Sequence, residues 1–137
     1  MHKERGVMLL FYASQRNQAV EVLEGIVSKM LPAHKVMYCS VIDAVEKRLR
    51  RPRQNLELLL VSVQDAIEMA RLTKMRALLL DMRLILVLPQ RDEAMVAWAH
   101  KLGPRFIAYA DIGVEQVAPV LEKMLSNLRQ YEAYREH

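Results

Sequence analysis

The sequence is poor in cysteine, glycine and aromatic residues, and it has no long apolar run. Its 137 residues include one cysteine, four glycines, five prolines and one tryptophan. The single cysteine, Cys39, excludes an internal disulfide framework. So few glycines and prolines exclude a flexible linker or a low-complexity tract. The apolar runs are far shorter than the roughly 20 residues of a membrane-spanning helix, so we expect no contact with a membrane.

Recognisable cofactor and metal motifs are also missing. The sequence contains no GxGxxG or GxxxxGK[ST] phosphate loop and no GxSxG nucleophile elbow. The four histidines are scattered, and Cys39 has no CxxC partner, so metal-ligand spacing is absent. We therefore expect no cofactor, no metal and no enzymatic activity. Cys39 is interpreted as a buried small side chain rather than a reactive thiol.

The composition is that of an ordinary globular protein. Hydrophobic residues make up 53% and charged residues 26%. This length predicts one domain over residues 1–137, with a core over about 7–128 and a C-terminal helix extension or tail over 129–137. Residues 1–5 lead directly into an apolar run and lack the pattern of a secretory signal peptide. Together with the single cysteine, this predicts a cytoplasmic protein.

Five short apolar segments predict β-strands buried on both faces. They lie at 7–13, 35–39, 56–63, 84–88 and 105–110. Apolar residues at helical spacing between them predict five helices, at about 17–31, 41–50, 66–80, 92–101 and 114–128. Asn17, Ser40 and Asp65 are the predicted caps of the first three helices.

The periodicity also predicts which side chains are buried. We expect inward positions in the second, third and fourth helices. They are Val41, Ala44, Val45 and Leu49 in the second, Ile67, Ala70, Leu78 and some of Met69, Met75 and Leu79 in the third, and Met95, Trp98, Ala99 and Leu102 in the fourth. The strand tyrosines are expected to be buried with satisfied hydroxyls; these are Tyr12, Tyr38 and Tyr109.

Strands that alternate with helices need crossover connections, so the sheet is expected to be parallel. The predicted fold class is α/β, a flavodoxin-like (βα)5 three-layer sandwich with strand order 2-1-3-4-5. The third strand is then central, and its carboxyl end at Ser62 lies where open α/β sheets carry their chemistry.

Two segments of the chain resemble the receiver domain of bacterial response regulators. Residues 57–63, Glu-Leu-Leu-Leu-Val-Ser-Val, are similar to the family's D-L-V-L-L-D-V strand. Residues 102–107, Leu-Gly-Pro-Arg-Phe-Ile, are similar to its L-G-A-x-x-F/Y turn into the fifth strand. The resemblance covers roughly residues 7–128.

The resemblance implies a phosphorylation pocket whose functional positions are all changed. Receivers carry an acidic pair after the first strand, a phosphoacceptor Asp ending the third, a Ser or Thr ending the fourth and a Lys ending the fifth. The corresponding residues here are Ala13 and Ser14, Ser62, Pro89, and Ala110 (or Asp111 with a shift of one residue). Because Mg²⁺ binding needs carboxylate oxygens, these residues predict a degenerate receiver, or pseudoreceiver, with a vestigial pocket.

Such a domain is expected to act as a protein-interaction module with partners in a bacterial signalling system. The resemblance implies a face formed by the fourth helix, the fifth strand and the fifth helix. The candidate residues are Glu93, Val96, Ala97, His100, Leu128 and Tyr131. The stripe of the last helix continues in heptad-like steps to Tyr131, which makes a homodimer possible.

Two alternatives remain. Tyr12, Ser14, Ser62, Gln64, Gln90 and Asp111 could line a polar pocket for a small ligand at the strand ends, as in a flavodoxin-like binding protein or enzyme. Alternatively, a basic segment at 47–53 could bind nucleic acid, consistent with the net charge of +4. Its cations are Lys47, Arg48, Arg50, Arg51 and Arg53. The segment lacks a recognition motif or interleaved aromatics, so we do not expect nucleic acid as the partner.

Overall fold

The computed structural model describes residues 6–135 and the side chains of residues 6–131. Its five strands are β1 (Met8–Ala13), β2 (Val36–Cys39), β3 (Leu56–Ser62), β4 (Arg83–Leu88) and β5 (Phe106–Tyr109). They form one sheet in the order β2-β1-β3-β4-β5, and every neighbouring pair is parallel. The predicted fold class and strand order are confirmed.

The α-helices number six in the described chain, one more than predicted, and two short 3₁₀ helices lie at Ala33–Lys35 and Val114–Gln116. The α-helices are α1 (Gln18–Met30), α2 (Ile42–Leu49), α3 (Ala66–Lys74), α4 (Arg76–Leu79), α5 (Glu93–His100) and α6 (Val117–Arg135). The predicted third helix is divided at Met75, where φ −98° and ψ 14° depart from helical values. The fourth and fifth predicted helices are therefore α5 and α6. Within residues 6–135, no helix is both long and apolar enough to cross a membrane.

Two apolar cores lie on opposite faces of the sheet. Leu58 and Leu60 of β3 point into the core formed with α1 and α6. Leu59 and Val61 point into the core formed with α2, α3, α4 and α5. Each such buried side chain contributes about 1.5–3 kcal/mol. Coverage of both faces is the reason that β3 is apolar at nearly every position rather than at alternate ones.

Three helices begin at side-chain caps. Asn17 Oδ1 accepts a hydrogen bond from Val20 N at 2.9 Å, and Asp65 Oδ1 accepts one from Glu68 N at 3.0 Å. Asp92 caps α5 in the same way. The predicted cap at Ser40 is wrong: α2 begins one residue later, and its cap position is Val41, which makes no side-chain cap hydrogen bond.

Several apolar side chains predicted to be buried are exposed. Val41 and Ile67 are 57% and 80% exposed; Val41 is the cap residue of α2, and Ile67 lies in the first turn of α3. Ala44 is exposed because Val45 takes the inward position of the short α2. Trp98 is 43% exposed, since Ala99 supplies the buried contact of α5.

The strand tyrosines have different environments. Tyr12 is buried in β1, which has a neighbouring strand on each side. Tyr38 is 52% exposed and lies on β2, an edge strand of the sheet. Tyr109, on the other edge strand, is partly buried. The prediction of burial therefore holds for Tyr12 on the inner strand β1 and is wrong for Tyr38.

Candidate functional site

The carboxyl ends of the strands form one edge of the sheet, which we call the carboxyl edge. Ala13 ends β1 and Ser62 ends β3, and these two residues are register partners. Ser62 is also paired with Val87 of β4. Pro89 and Ala110 follow β4 and β5 directly, and Ala110 N donates to Leu88 O at 2.7 Å. The predicted pocket residues on these strands therefore lie at the same edge, where Ser62 is only 8% exposed.

A carboxylate from α3 connects two of the strand-end segments. Glu68 Oε2 accepts a hydrogen bond from Tyr12 Oη at 2.9 Å. Glu68 Oε1 accepts one from Gln64 N at 2.8 Å. Burial of the phenol, together with the adjacent Glu68 carboxylate, raises the pKa of Tyr12 to about 12. Glu68 thus holds the loop after β3 against the end of β1.

Sequence reasoning did not identify Glu68 as part of this edge. Asp65 and Glu68 have the spacing of a capping box, in which an acidic residue three positions after the cap reaches back to a backbone N–H. That spacing is the sequence signal from which the role of Glu68 could have been predicted. The pairing with Tyr12 joins residues 56 positions apart in the chain, so no local pattern predicts it.

The polar residues proposed to line a ligand pocket do not form one set. Tyr12 and Gln64 are joined through Glu68, whereas Gln90 and Asp111 are exposed on the loops after β4 and β5. Among residues 6–131, whose side chains are described, no group of three or more His, Cys, Asp or Glu side chains is arranged to hold a metal ion.

A shallow cleft of about 210 Å³ lies at the same edge, between the segments that follow β1 and β2. At its mouth, Arg16 makes a two-pronged ion pair with Glu24, with N–O distances of 2.8 and 2.6 Å. Burial raises the pKa of the Cys39 thiol, which lines the cleft in its protonated form at neutral pH. Pockets for drug-sized ligands usually measure about 300–1,000 Å³, so this cleft is small for a flavin.

The implied interaction face is partly exposed. Glu93 and His100 on α5 and Tyr131 on α6 are exposed, Tyr131 by 58%. Val96 is partly buried and packs against the core beneath α5. Leu128 is 4% exposed and belongs to the core beneath α6, so it is inaccessible to a partner. Leu128 was predicted to belong to the interaction face, and that prediction is wrong. Leu128 lies on the apolar stripe of α6, which faces the sheet and not the solvent.

The basic segment at 47–53 lies at the opposite end of the molecule, in the last turn of α2 and the loop that follows it. Arg50 pairs with Glu46 at 2.9 Å, and Arg53 pairs with Asp81 at 3.5 Å. Arg48 donates to the backbone carbonyls of Pro52 and Arg53 at 3.0 and 2.6 Å. The remaining two cations of the segment, Lys47 and Arg51, are exposed.

No protein-family model and no curated protein matches the sequence. Solved structures do match. A CheY-like response regulator receiver domain from Methanospirillum hungatei has a TM-score of 0.69 and 11% identity, covering 93% of this chain and 99% of its own. The signal receiver domain of an HD domain-containing protein from Pseudomonas fluorescens has a TM-score of 0.65 and 14% identity, covering 92% and 99%.

A third similar structure, from Burkholderia pseudomallei, is described as a pilus assembly-related protein. It has a TM-score of 0.64 and 15% identity, covering 92% of this chain and 95% of its own. At such low identities the similarity establishes the fold and not the activity. The chain therefore has the fold of the response regulator receiver domain.

Proposed function

We propose that this chain is a phosphorylation-independent receiver-like module that regulates by binding another protein. The observation that carries the proposal is the composition of the carboxyl edge. The strand ends that bear the catalytic groups in receivers bear Ala13, Ser62, Pro89 and Ala110 here. None of these side chains is a carboxylate or an amine.

The chemistry of phosphoryl transfer supports this interpretation. Transfer to a receiver aspartate needs Mg²⁺, and Mg²⁺ is held by carboxylate oxygens. The two carboxylates that follow β3 have structural roles: Asp65 caps α3, and Glu68 accepts hydrogen bonds from Tyr12 and Gln64. Neither is therefore free to replace the acidic pair without disrupting the loop.

Ser62 is a poor substitute for the phosphoacceptor. A serine hydroxyl needs an adjacent base to act as a nucleophile near neutral pH. The two histidines within the described chain lie away from this edge: His34 precedes β2, and His100 ends α5. A binding module fits the residues at this edge better than an enzyme does.

The experiment is to add beryllofluoride and Mg²⁺ and to follow backbone amide shifts. We expect no specific shifts at the amides near Ser62. The matched comparison is a variant that restores the receiver groups, Ala13→Asp/Ser14→Asp/Ser62→Asp/Ala110→Lys, in which shifts at these positions would show that the probe works on this fold. Saturable shifts around Ser62 in the wild-type protein would contradict the proposal.

The α5–β5–α6 face is the surface that we propose for the partner. β5 is an edge strand, so its outer side is not paired within the sheet. Exposed His100, Trp98 and Tyr131 lie on the two helices that flank it, and aromatic side chains are enriched at the centres of protein interfaces. The pilus assembly-related protein of the same fold supports a role for such domains in proteins that are not described as response regulators.

A capture experiment from the source cell tests this face. We expect a partner to be recovered by the wild-type chain, and to be lost with His100→Ala/Tyr131→Ala and with a chain truncated after Leu128. Val22→Ala on α1 is the control, because Val22 is 37% exposed and lies on a different helix. Equal loss with the control would contradict the assignment of the face. Sedimentation of the wild-type and truncated chains tests whether the partner is a second copy.

A further inference from the structure

The edge of the sheet opposite the carboxyl edge is strongly basic. The segments that lead into β3, β4 and β5, counted with the first residues of β3 and β4, are residues 46–57, 74–83 and 101–105. Because the strands are parallel, these three segments lie at one edge, which we call the basic edge. They contain ten cations and three carboxylates. The cations are Lys47, Arg48, Arg50, Arg51, Arg53, Lys74, Arg76, Arg83, Lys101 and Arg105.

Contacts join the three segments into one surface. Arg53 pairs with Asp81 at 3.5 Å, which connects the loop after α2 to the loop before β4. Arg76 Nε donates to the backbone carbonyl of Lys101 at 2.7 Å, which connects α4 to the loop before β5. The basic run at 47–53 is therefore one end of a longer positive surface.

The carboxylates of this edge neutralise only some of its cations. Glu46, Asp81 and Glu57 pair with Arg50, Arg53 and Arg83 respectively. Arg48 and Arg76 are held by backbone carbonyls, which fix the guanidinium groups without cancelling their charge. Five further cations are exposed, and no ion pair is recorded for them within the described residues; they are Lys47, Arg51, Lys74, Lys101 and Arg105.

Stabilisation of helix C-termini accounts for only part of this charge. Cations favour the last turn of a helix because of its dipole, and that effect falls off within the turn. Arg51, Arg53 and Arg105 lie beyond the ends of α2 and α5, in the loops. Stabilisation of the helix dipole therefore does not explain why these three positions are arginine.

The opposite edge has the reverse charge. The segments after the strands are residues 14–21, 40–43, 63–68, 89–93 and 110–115, which contain eight carboxylates and two arginines. A polyanion is therefore repelled from the carboxyl edge and attracted to the basic edge, which fixes the orientation of binding.

We propose that the basic edge binds the phosphate backbone of duplex DNA without regard to sequence, an activity separate from the proposed function of the α5–β5–α6 face. Seven of the ten cations are arginines. Each planar guanidinium group can donate two parallel hydrogen bonds to the oxygens of one phosphate. The three segments contain no Phe, Trp or Tyr on which single-stranded bases could stack. Leu80 is their one exposed large apolar side chain in the described residues, too little for membrane insertion or for the centre of a protein interface.

The test is fluorescence anisotropy of a labelled mixed-sequence duplex with the full chain at low salt. We expect binding that weakens steeply with salt. Removing Lys101 and Arg105 (K101Q/R105Q), or Lys47 and Arg51 (K47Q/R51Q), should weaken it by about tenfold or more. The salt slope should fall by about one for each phosphate that is no longer neutralised. The matched control, R91Q/K123Q, removes the same charge from exposed positions outside the basic edge and should leave binding close to wild type.

Four results would overturn the proposal. The first two are no duplex binding at low salt, and a loss of duplex affinity in the control variant equal to that in the basic-edge variants. The other two are tighter binding of single-stranded DNA of the same length, and binding of poly-glutamate or anionic vesicles as tight as that of the duplex. Thermal unfolding of each variant establishes that it is folded. Because K101Q/R105Q and K47Q/R51Q leave the carboxyl edge unchanged, failure here is distinguishable from failure of the beryllofluoride experiment.

Discussion

Ser62 combines a central position with strong burial. It ends β3, the middle strand of the sheet, and 8% of it is exposed. A hydroxyl tolerates such a site because it is uncharged and can satisfy its hydrogen bonds locally. A carboxylate there would lose hydration, and the register partners of Ser62, Ala13 and Val87, offer no cation to replace it.

The first prediction concerns this site. Ser62→Asp is expected to lower the free energy of unfolding by about 1–3 kcal/mol, the cost of burying a polar group without a partner. Ser62→Ala is the control and should change it by less. Urea unfolding at neutral pH measures both. An Asp variant as stable as the wild type would show that a cation or water reaches the side chain.

The second prediction concerns the Tyr12–Glu68 hydrogen bond. Tyr12→Phe removes the donor to a carboxylate, so the free energy of unfolding should fall by about 1.5–3 kcal/mol at neutral pH. The folded protein raises the pKa of Tyr12 from 10.0 to about 12. A raised pKa means that the stabilisation is complete below pH 10 and is lost as the pH rises towards 12.

Unfolding of wild type and Tyr12→Phe across pH 8–12 checks the sign. The stability difference between the two proteins should be constant up to about pH 10 and should then decrease. A difference that stayed constant through pH 12 would contradict the assigned cause, because the phenol would then titrate alike in the folded and unfolded chains.

At the scale of the elements, the starts of the helices were partly predictable. The caps at Asn17 and Asp65 were predicted and are observed, since a short polar side chain next to an apolar periodic run is a local signal. Ser40 has the same local signal, yet α2 starts one residue later. The turn between β2 and α2 sets the residue at which the helix starts, and the geometry of that turn cannot be predicted from the residue types alone.

The third prediction uses this contrast. Asn17→Ala should lower the free energy of unfolding by about 0.5–2 kcal/mol, because it leaves the N–H of Val20 without its side-chain acceptor. Ser40→Ala should change it by less than about 0.5 kcal/mol, as exposed substitutions usually do. Thermal or urea unfolding compares the two variants. Equal losses would show that Ser40 also acts as a cap.

The division of α3 and α4 at Met75 was not predictable from periodicity. Met69, Leu72, Met75 and Leu79 are all buried, and their spacing fits one continuous helix. The chain turns at Met75 because its N–H bonds to Leu72 O and Thr73 O rather than continuing the regular pattern. Side-chain spacing does not distinguish these two arrangements.

At the scale of the whole molecule, β4 couples the two cores. Ile85 and Val87 point to the α1–α6 side, whereas Leu84 and Leu86 point to the side covered by α2 to α5. One strand therefore contributes to both clusters, so loss of packing by one layer of helices exposes one face of a strand on which the other layer also packs. This arrangement favours a single cooperative transition.

The fourth prediction follows from that coupling. Leu86→Ala and Ile85→Ala remove buried side chains from opposite faces, and each should cost about 2–5 kcal/mol. In both variants, unfolding followed by Trp98 fluorescence and by far-ultraviolet circular dichroism should coincide. Transitions that separated in one variant only would show that its layer unfolds independently.

The sequence by itself determined the strands, their parallel order and most of the inward-facing apolar positions, because a strand buried on two faces must be apolar throughout and a covering helix must be apolar on one face. It also located Ala13, Ser62, Pro89 and Ala110 at strand ends. The tertiary structure decided which side chains are exposed at the helix starts, as at Ile67, and that Leu128 is buried. It also brought Glu68 to Tyr12 and joined the basic run at 47–53 to two distant segments. These are contacts between residues far apart in the chain, and local periodicity reports only the face on which a residue lies, not what packs against that face.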